Sequence, residues 1–512
     1  MDKLQTATIV LGEPLDLEQF MSVVRGGATV EFSDEYVERV QKARDLVEKW
    51  TAEDRVMYGV TTGFGSLCTK VISSDEAAQL QHNIIASHST SVGQPLSIEA
   101  VRAVMLMILQ NLGRGNSGVR IEVLERYRDF LNMNITPWAP GEGSVGYLSP
   151  EAHMARVIEG NGKAYYQGEL LDATWVLAKA NIKPLPLSSK EGLALISGTT
   201  STTGLAAIAI YDMINAAKCA DIIGALSLEN LRGVMRAFDD RVMKVRPHKE
   251  QADTAANVRK ILADSEVIKS CQGERIQDAL SLRCIPQLHG AAKKTFYDAK
   301  ATIETEMNSC CDNPIIWPED GNEDVISACN ADSSYVGIEM DSAAIAATTI
   351  AKMSERRNNR LVDETYSGYP SFMVSNPGLN SGLMIPQYTQ AGLLNEMRIL
   401  SSPATVDNTP TCGNQEDYVS MGYNASKKAI SISEKLEYIL AIELLSDYQA
   451  LNFTEDWPER SSVSKAVYET IGSNLPLMKE DMFLYEHIEF LRSLIHSGLL
   501  VGTAAGIIGE LK

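Results

Sequence analysis

Apolar residues recur along this chain mostly at helical spacing. From Asp34 to Trp50 the sequence DEYVERVQKARDLVEKW places Val37, Val40, Ala43 and Val47 on one side of an amphipathic helix. Gly204–Leu231 and Asp341–Arg357 are rich in small apolar residues and poor in charge, the pattern of helices buried in the middle of a bundle. Strand signals are sparse and short. Glycine and proline gather in four places, Thr61–Gly65, Pro137–Gly146, Asn313–Gly321 and Gly368–Gly382, which read as loops. No internal repeat or low-complexity linker breaks the chain. The pattern predicts an all-α protein, with a smaller mixed or helical N-terminal region over residues 1–197 and a long helical bundle over 198–512.

With 512 residues, 45% of them hydrophobic, the chain can bury a large core. A net charge of -20 without a basic run argues against nucleic acid and anionic membranes as partners. No uninterrupted apolar run reaches the roughly 18 residues that span a bilayer. Residues 205–228 come closest and are interrupted by Asp212, Lys218 and Asp221. The start, MDKLQTATIV, lacks the basic and apolar regions of a secretory signal. The eight cysteines form no CxxC pair and no metal-like spacing with histidine, so a reduced, cytoplasmic protein without a metal is expected. The adjacent Cys310 and Cys311 read as ordinary core thiols.

The candidate chemistry lies in the loops. Tyr58–Gly65 reads YGVTTGFG, Gly143–Met154 reads GSVGYLSPEAHM, and Gln277–Cys284 reads QDALSLRC. EMNSCCDNP (306–314), GLNSGLMIPQ (378–387) and NQEDYVSM (414–421) follow. In order and spacing these segments resemble the aromatic amino acid ammonia-lyases and aminomutases, the family of histidine ammonia-lyase, over nearly the whole chain. The resemblance implies a helical-bundle lyase that acts on a small molecule as a homotetramer, with active sites built from loops of three subunits. It places Tyr58 as the base that removes the proton beta to the carboxylate. Arg283 becomes the clamp for that carboxylate, a task suited to the guanidinium fork, and Gln277 in the same motif becomes a substrate-binding residue. Glu416 and His88 match positions that face an imidazole ring. A phenol with a solution pKa of about 10 needs cations or hydrogen-bond donors nearby to serve as a base.

One stretch departs from the family. Its members carry Ala-Ser-Gly after GSVG, a tripeptide that cyclises into methylideneimidazolone, the electrophile that captures the substrate's amine. Here Gly146 is followed at once by Tyr147. Positions that would surround the group differ too: Ser197, Leu280, Ala331 and Asp332 stand where the resemblance expects Asn, Tyr, Phe and His. This clustering favours a protein with no such cofactor over one whose modified tripeptide is not printed. Without the electrophile an ordinary amine leaves badly, whereas a trimethylammonium group leaves unaided. Smaller residues at 197, 280 and 331 would admit three methyl groups, and Asp332 or the Tyr147 ring would face the cation. The expectation is therefore an ergothionase-like carbon–nitrogen lyase that releases trimethylamine from a histidine betaine, hercynine or ergothioneine. The alternatives are a methylideneimidazolone-dependent ammonia-lyase or aminomutase on histidine or another aromatic amino acid, and a non-enzymatic relative.

Overall fold

The computed structural model describes residues 7–73 and 76–512. Residues 1–6, the start of the segment read above for a targeting signal, lie outside the described residues.

Helices dominate, as the spacing predicts. The first long one, Asp34–Ala52, is started by Ser33, whose hydroxyl accepts the Tyr36 N–H. Its buried side is Tyr36, Val40, Ala43, Val47 and Trp50, together with Arg44. Val37, expected on that face, is 37% exposed. It sits one residue, about 100°, away from Tyr36, and the larger aromatic takes the inward place. The two charge-poor segments become the long helices Thr200–Asn230 and Ser334–Val362. Residues 191–230 include an apolar stretch long enough to cross a membrane, yet its most apolar 18 residues are wholly buried within the fold, as in a core helix. Polar pairs replace apolar packing at a few buried points: Arg357 and Glu443, both without exposed side-chain surface, form an ion pair.

Among the described residues the strands make four small sheets, three of two strands and one of three. Two of the expected loops contain such strands, Pro140–Glu142 and Ile315–Trp317. Each is only three residues long, too short for a period-2 pattern to stand out.

The chain divides into two compact units. The first comprises residues 1–211, 299–341 and 403–427, the second 212–298, 342–402 and 428–512. The sequence reading placed a single cut at 197. Four long helices, Thr200–Asn230, Ile285–Met307, Ser334–Val362 and Gly422–Gln449, each begin in one unit and end in the other. A division that runs through the middle of helices leaves no linker to read.

Candidate active site

The tyrosine loop follows the helix Asp34–Ala52 in the first unit. Its threonines hold it: Thr61 Oγ1 accepts the Met57 N–H at 2.8 Å and donates to the Arg55 carbonyl at 2.7 Å. Thr62 Oγ1 accepts the Gly59 N–H at 3.0 Å. Gly59 has φ +65°, the left-handed region that favours glycine, and a Cβ there would lie 2.4 Å from Leu193 Cδ2. Buried Gln81 fastens the loop, donating to the Gly59 carbonyl at 3.3 Å and accepting the Leu193 N–H at 3.0 Å. The Tyr58 hydroxyl accepts the Gly65 N–H at 3.0 Å.

Tyr58 lines two adjoining chambers of ≈ 540 and ≈ 430 Å³, both inside the first unit. Tyr147, Leu148, Leu193 and Glu416 also border both. His88, the last residue of the helix Ala77–His88, lines the larger one. Ser197 and Ala331 line the smaller. The structure thus brings together six of the residues singled out from sequence: Tyr58, His88, Tyr147, Ser197, Ala331 and Glu416.

Four others do not line the chambers. Gln277, Leu280 and Arg283 belong to the second unit. Leu280, expected to shape the substrate pocket, is 60% exposed and borders a recess with Leu288 and Met353. Arg283 donates through Nε to the Asp278 carbonyl at 3.0 Å. Asp332, expected opposite a cation, accepts the Ser334 N–H at 3.0 Å, at the start of the helix Ser334–Val362, and its charge acts on Tyr147.

The electrostatics of the chambers are acidic. No lysine or arginine is among their lining residues, while Glu416 faces both. Burial raises the Tyr58 phenol above its ordinary value against the lowering pull of the Gly65 N–H, and Glu416 adds to the rise. The cations that the sequence reading asked for are thus not supplied by the first unit's own lining. Burial lowers the His88 imidazole, opposed by the Ile84 carbonyl and by Glu416. A lowered histidine is neutral over more of the pH range, so stability linked to His88 is present above its unfolded pKa and lost as pH falls through the folded one. An NMR titration of His88 is expected to give a midpoint below 6.5, the ordinary value; a midpoint above it would contradict this environment.

The altered loop is tied on both flanks. Thr202 Oγ1 donates to the Gly146 carbonyl at 3.2 Å, and the Leu148 N–H donates to the Ile196 carbonyl at 2.9 Å. At Gly146, with φ +143°, an added Cβ would meet Ser333 Oγ at 2.8 Å and Ser420 Oγ at 3.0 Å. Below the loop, Ser197 Oγ accepts the Asn313 N–H at 3.1 Å, and the neighbouring Asp312 pairs with Lys190 at 2.6 Å with both side chains fully buried.

Sequence reasoning missed Gln81 and Thr411. Thr411 Oγ1 donates to Glu416 Oε2 at 3.2 Å, and its N–H donates to the Glu416 carbonyl at 2.8 Å. Neither residue has a reactive side chain, and each shows its role only through what it touches. All eight cysteines are free, and Cys68, Cys329 and Cys412 border the chambers.

Comparison with known proteins places this geometry. The family model described as "Aromatic amino acid lyase" matches residues 15–473. Histidine ammonia-lyase 1 of Fusobacterium nucleatum subsp. nucleatum is 42% identical over 510 residues, covering 98% of this chain and 98% of that protein. The crystal structure of histidine ammonia-lyase from Trypanosoma cruzi has a TM-score of 0.91 at 33% identity, covering 98% of this chain and 96% of that one. Ergothionase from Treponema denticola, solved with desmethyl-ergothioneine sulfonic acid, has a TM-score of 0.89 at 28% identity and covers 96% and 99%.

These relatives correct two expectations. Trimethylamine release from a betaine gives way to the histidine ammonia-lyase alternative, because full-length relatives at 42% identity bear that name whereas the ergothionase is 28% identical. The roles of Asp332 and the Tyr147 ring opposite a trimethylammonium group fall with it. The expectation of no cofactor is corrected likewise, since the histidine ammonia-lyases it resembles belong to the family in which methylideneimidazolone is formed. The residues of the loop do not themselves fit that group: Gly146 is bonded directly to Tyr147, and Ala-Ser-Gly occurs nowhere between Gly143 and Pro150. On the match to nearly its whole length, the chain belongs to the aromatic amino acid lyase family.

Proposed function

We propose that the protein is a carbon–nitrogen lyase that releases ammonia from histidine. The observation that carries this reading is the pairing of Glu416 with His88 at one chamber that also holds Tyr58. A carboxylate acceptor beside a neutral imidazole suits a ring bearing N–H and N: Glu416 accepts the ring N–H, and His88 serves the second nitrogen. Tyr58 removes the proton beta to the carboxylate. Arg283 binds the substrate carboxylate from a neighbouring subunit of a homotetramer, which supports the site with the cation that its own lining lacks. That cation also draws the Tyr58 phenol down toward a useful basicity. The reading includes a cytoplasmic location, consistent with eight free thiols.

The test is ammonia release from histidine, with tyrosine and phenylalanine alongside. Histidine is expected to be turned over well ahead of the others; equal turnover of all three, or of none, would overturn the reading. Glu416→Gln keeps the shape and removes the charge. It is expected to cut kcat/KM for histidine by about 10-fold or more, the loss of one charged hydrogen bond. An equal loss for phenyl substrates would show that Glu416 does not read the ring.

A further inference from the structure

Glu416 is held from two directions at a single atom. The Tyr147 hydroxyl donates to Oε2 at 3.0 Å, and Thr411 Oγ1 donates to the same oxygen at 3.2 Å. Among the described residues no hydrogen bond engages Oε1. Backbone pairing fixes the spacing of donor and acceptor, because Thr411 and Glu416 form an antiparallel bridge in which the Thr411 N–H donates to the Glu416 carbonyl at 2.8 Å. Tyr147 reaches across from the altered loop, 269 residues away in the chain.

We propose that Tyr147 and Thr411 are positioning residues that lock Oε2 of Glu416 and so leave Oε1 to accept the imidazole N–H of the substrate. This rests on the histidine reading above and adds to it how the chain presents its ring acceptor. A glutamate on a loop has three side-chain torsions and would otherwise sample many orientations. Two hydroxyl donors converging on one oxygen choose one of them. Both donors are neutral, so they orient the carboxylate without cancelling its charge. Burial and the carboxylate itself push the Tyr147 phenol upward, which keeps its proton on and its role that of donor. The tyrosine side chain at the altered loop thus acquires a task in ring recognition.

Binding can be read without turnover, by calorimetry with imidazolepropionate and phenylpropionate. The parent protein is expected to favour the imidazole ligand. Tyr147→Phe should weaken imidazolepropionate about 10-fold, the scale of one hydrogen bond to a charged group, and leave phenylpropionate within about 2-fold. Thr411→Val should act the same way more weakly, while Thr411→Ser, which keeps the hydroxyl, should restore parent affinity. In histidine turnover the loss should fall on KM, with kcat changed less than about 3-fold. A melting temperature recorded for each variant separates misfolding from loss of aim. If Tyr147→Phe fails to fold, the Thr411→Val and Thr411→Ser pair decides on the same oxygen. A parent that does not prefer the imidazole ligand sinks the histidine reading itself. A parent that does, with Tyr147→Phe and Thr411→Val both binding as it does, sinks the positioning proposal and leaves the reading standing.

Discussion

Tyr58→Phe is expected to lower kcat for ammonia release by about 10²–10⁴ while leaving substrate affinity within a few-fold. The substitution removes one oxygen. That oxygen accepts a single hydrogen bond, from the Gly65 N–H, and the loop that carries it is held by Thr61, Thr62 and Gln81 instead. The fold should therefore survive, and the loss should be confined to the step in which a proton is taken. Steady-state kinetics beside a direct binding measurement makes the check. Near-normal kcat would show that Tyr58 is a wall of the chambers and that another group is the base. A loss seen only in KM would mean that the hydroxyl binds substrate rather than acting in the transition state.

The largest effect on stability is expected from Asp312→Ala. Lys190 and Asp312 pair at 2.6 Å with no exposed side-chain surface on either. Removing one member leaves a buried charge alone, which typically costs about 3–5 kcal/mol. Lys190 immediately precedes the helix Glu191–Ile196, and Asp312 adjoins Asn313, whose N–H reaches Ser197. The damage should thus spread to the floor of the smaller chamber. Denaturant melts of parent and variant measure it, and replacing both partners by apolar residues should recover much of the loss. A single variant as stable as the parent would show that the lysine finds water or another acceptor.

Helix content was legible in the sequence because small apolar residues over 204–231 and 341–357 can hardly be anything but buried helix. The short strands were not, since three residues such as Ile315–Trp317 carry no period. Six of the ten site residues chosen from sequence meet at the chambers, most of them from loops whose local turn chemistry fixes the side chain and His88 from the end of a helix. Arg283, Leu280 and Gln277 sit on a motif of the second unit, and position in a motif says nothing of which unit or which copy of the chain completes a site. The ring-face role read for Tyr147 falls with the betaine reading, which leaves its hydroxyl out of account. A tyrosine offers both a ring face and a hydroxyl, and sequence cannot tell which one is used. The fold uses the hydroxyl, on Glu416. The betaine reading gave most weight to the changes at Ser197, Leu280, Ala331 and Asp332. Two of these have local duties that involve no substrate: Ser197 accepts the Asn313 N–H, and Asp332 accepts the Ser334 N–H.

The most direct measurement gives the purified protein histidine and, separately, hercynine, and quantifies ammonia, trimethylamine and the unsaturated acid in each. Release of ammonia and urocanate from histidine in equal amounts, with no trimethylamine from hercynine, is the predicted result. Trimethylamine from hercynine, with no ammonia from histidine, would contradict it.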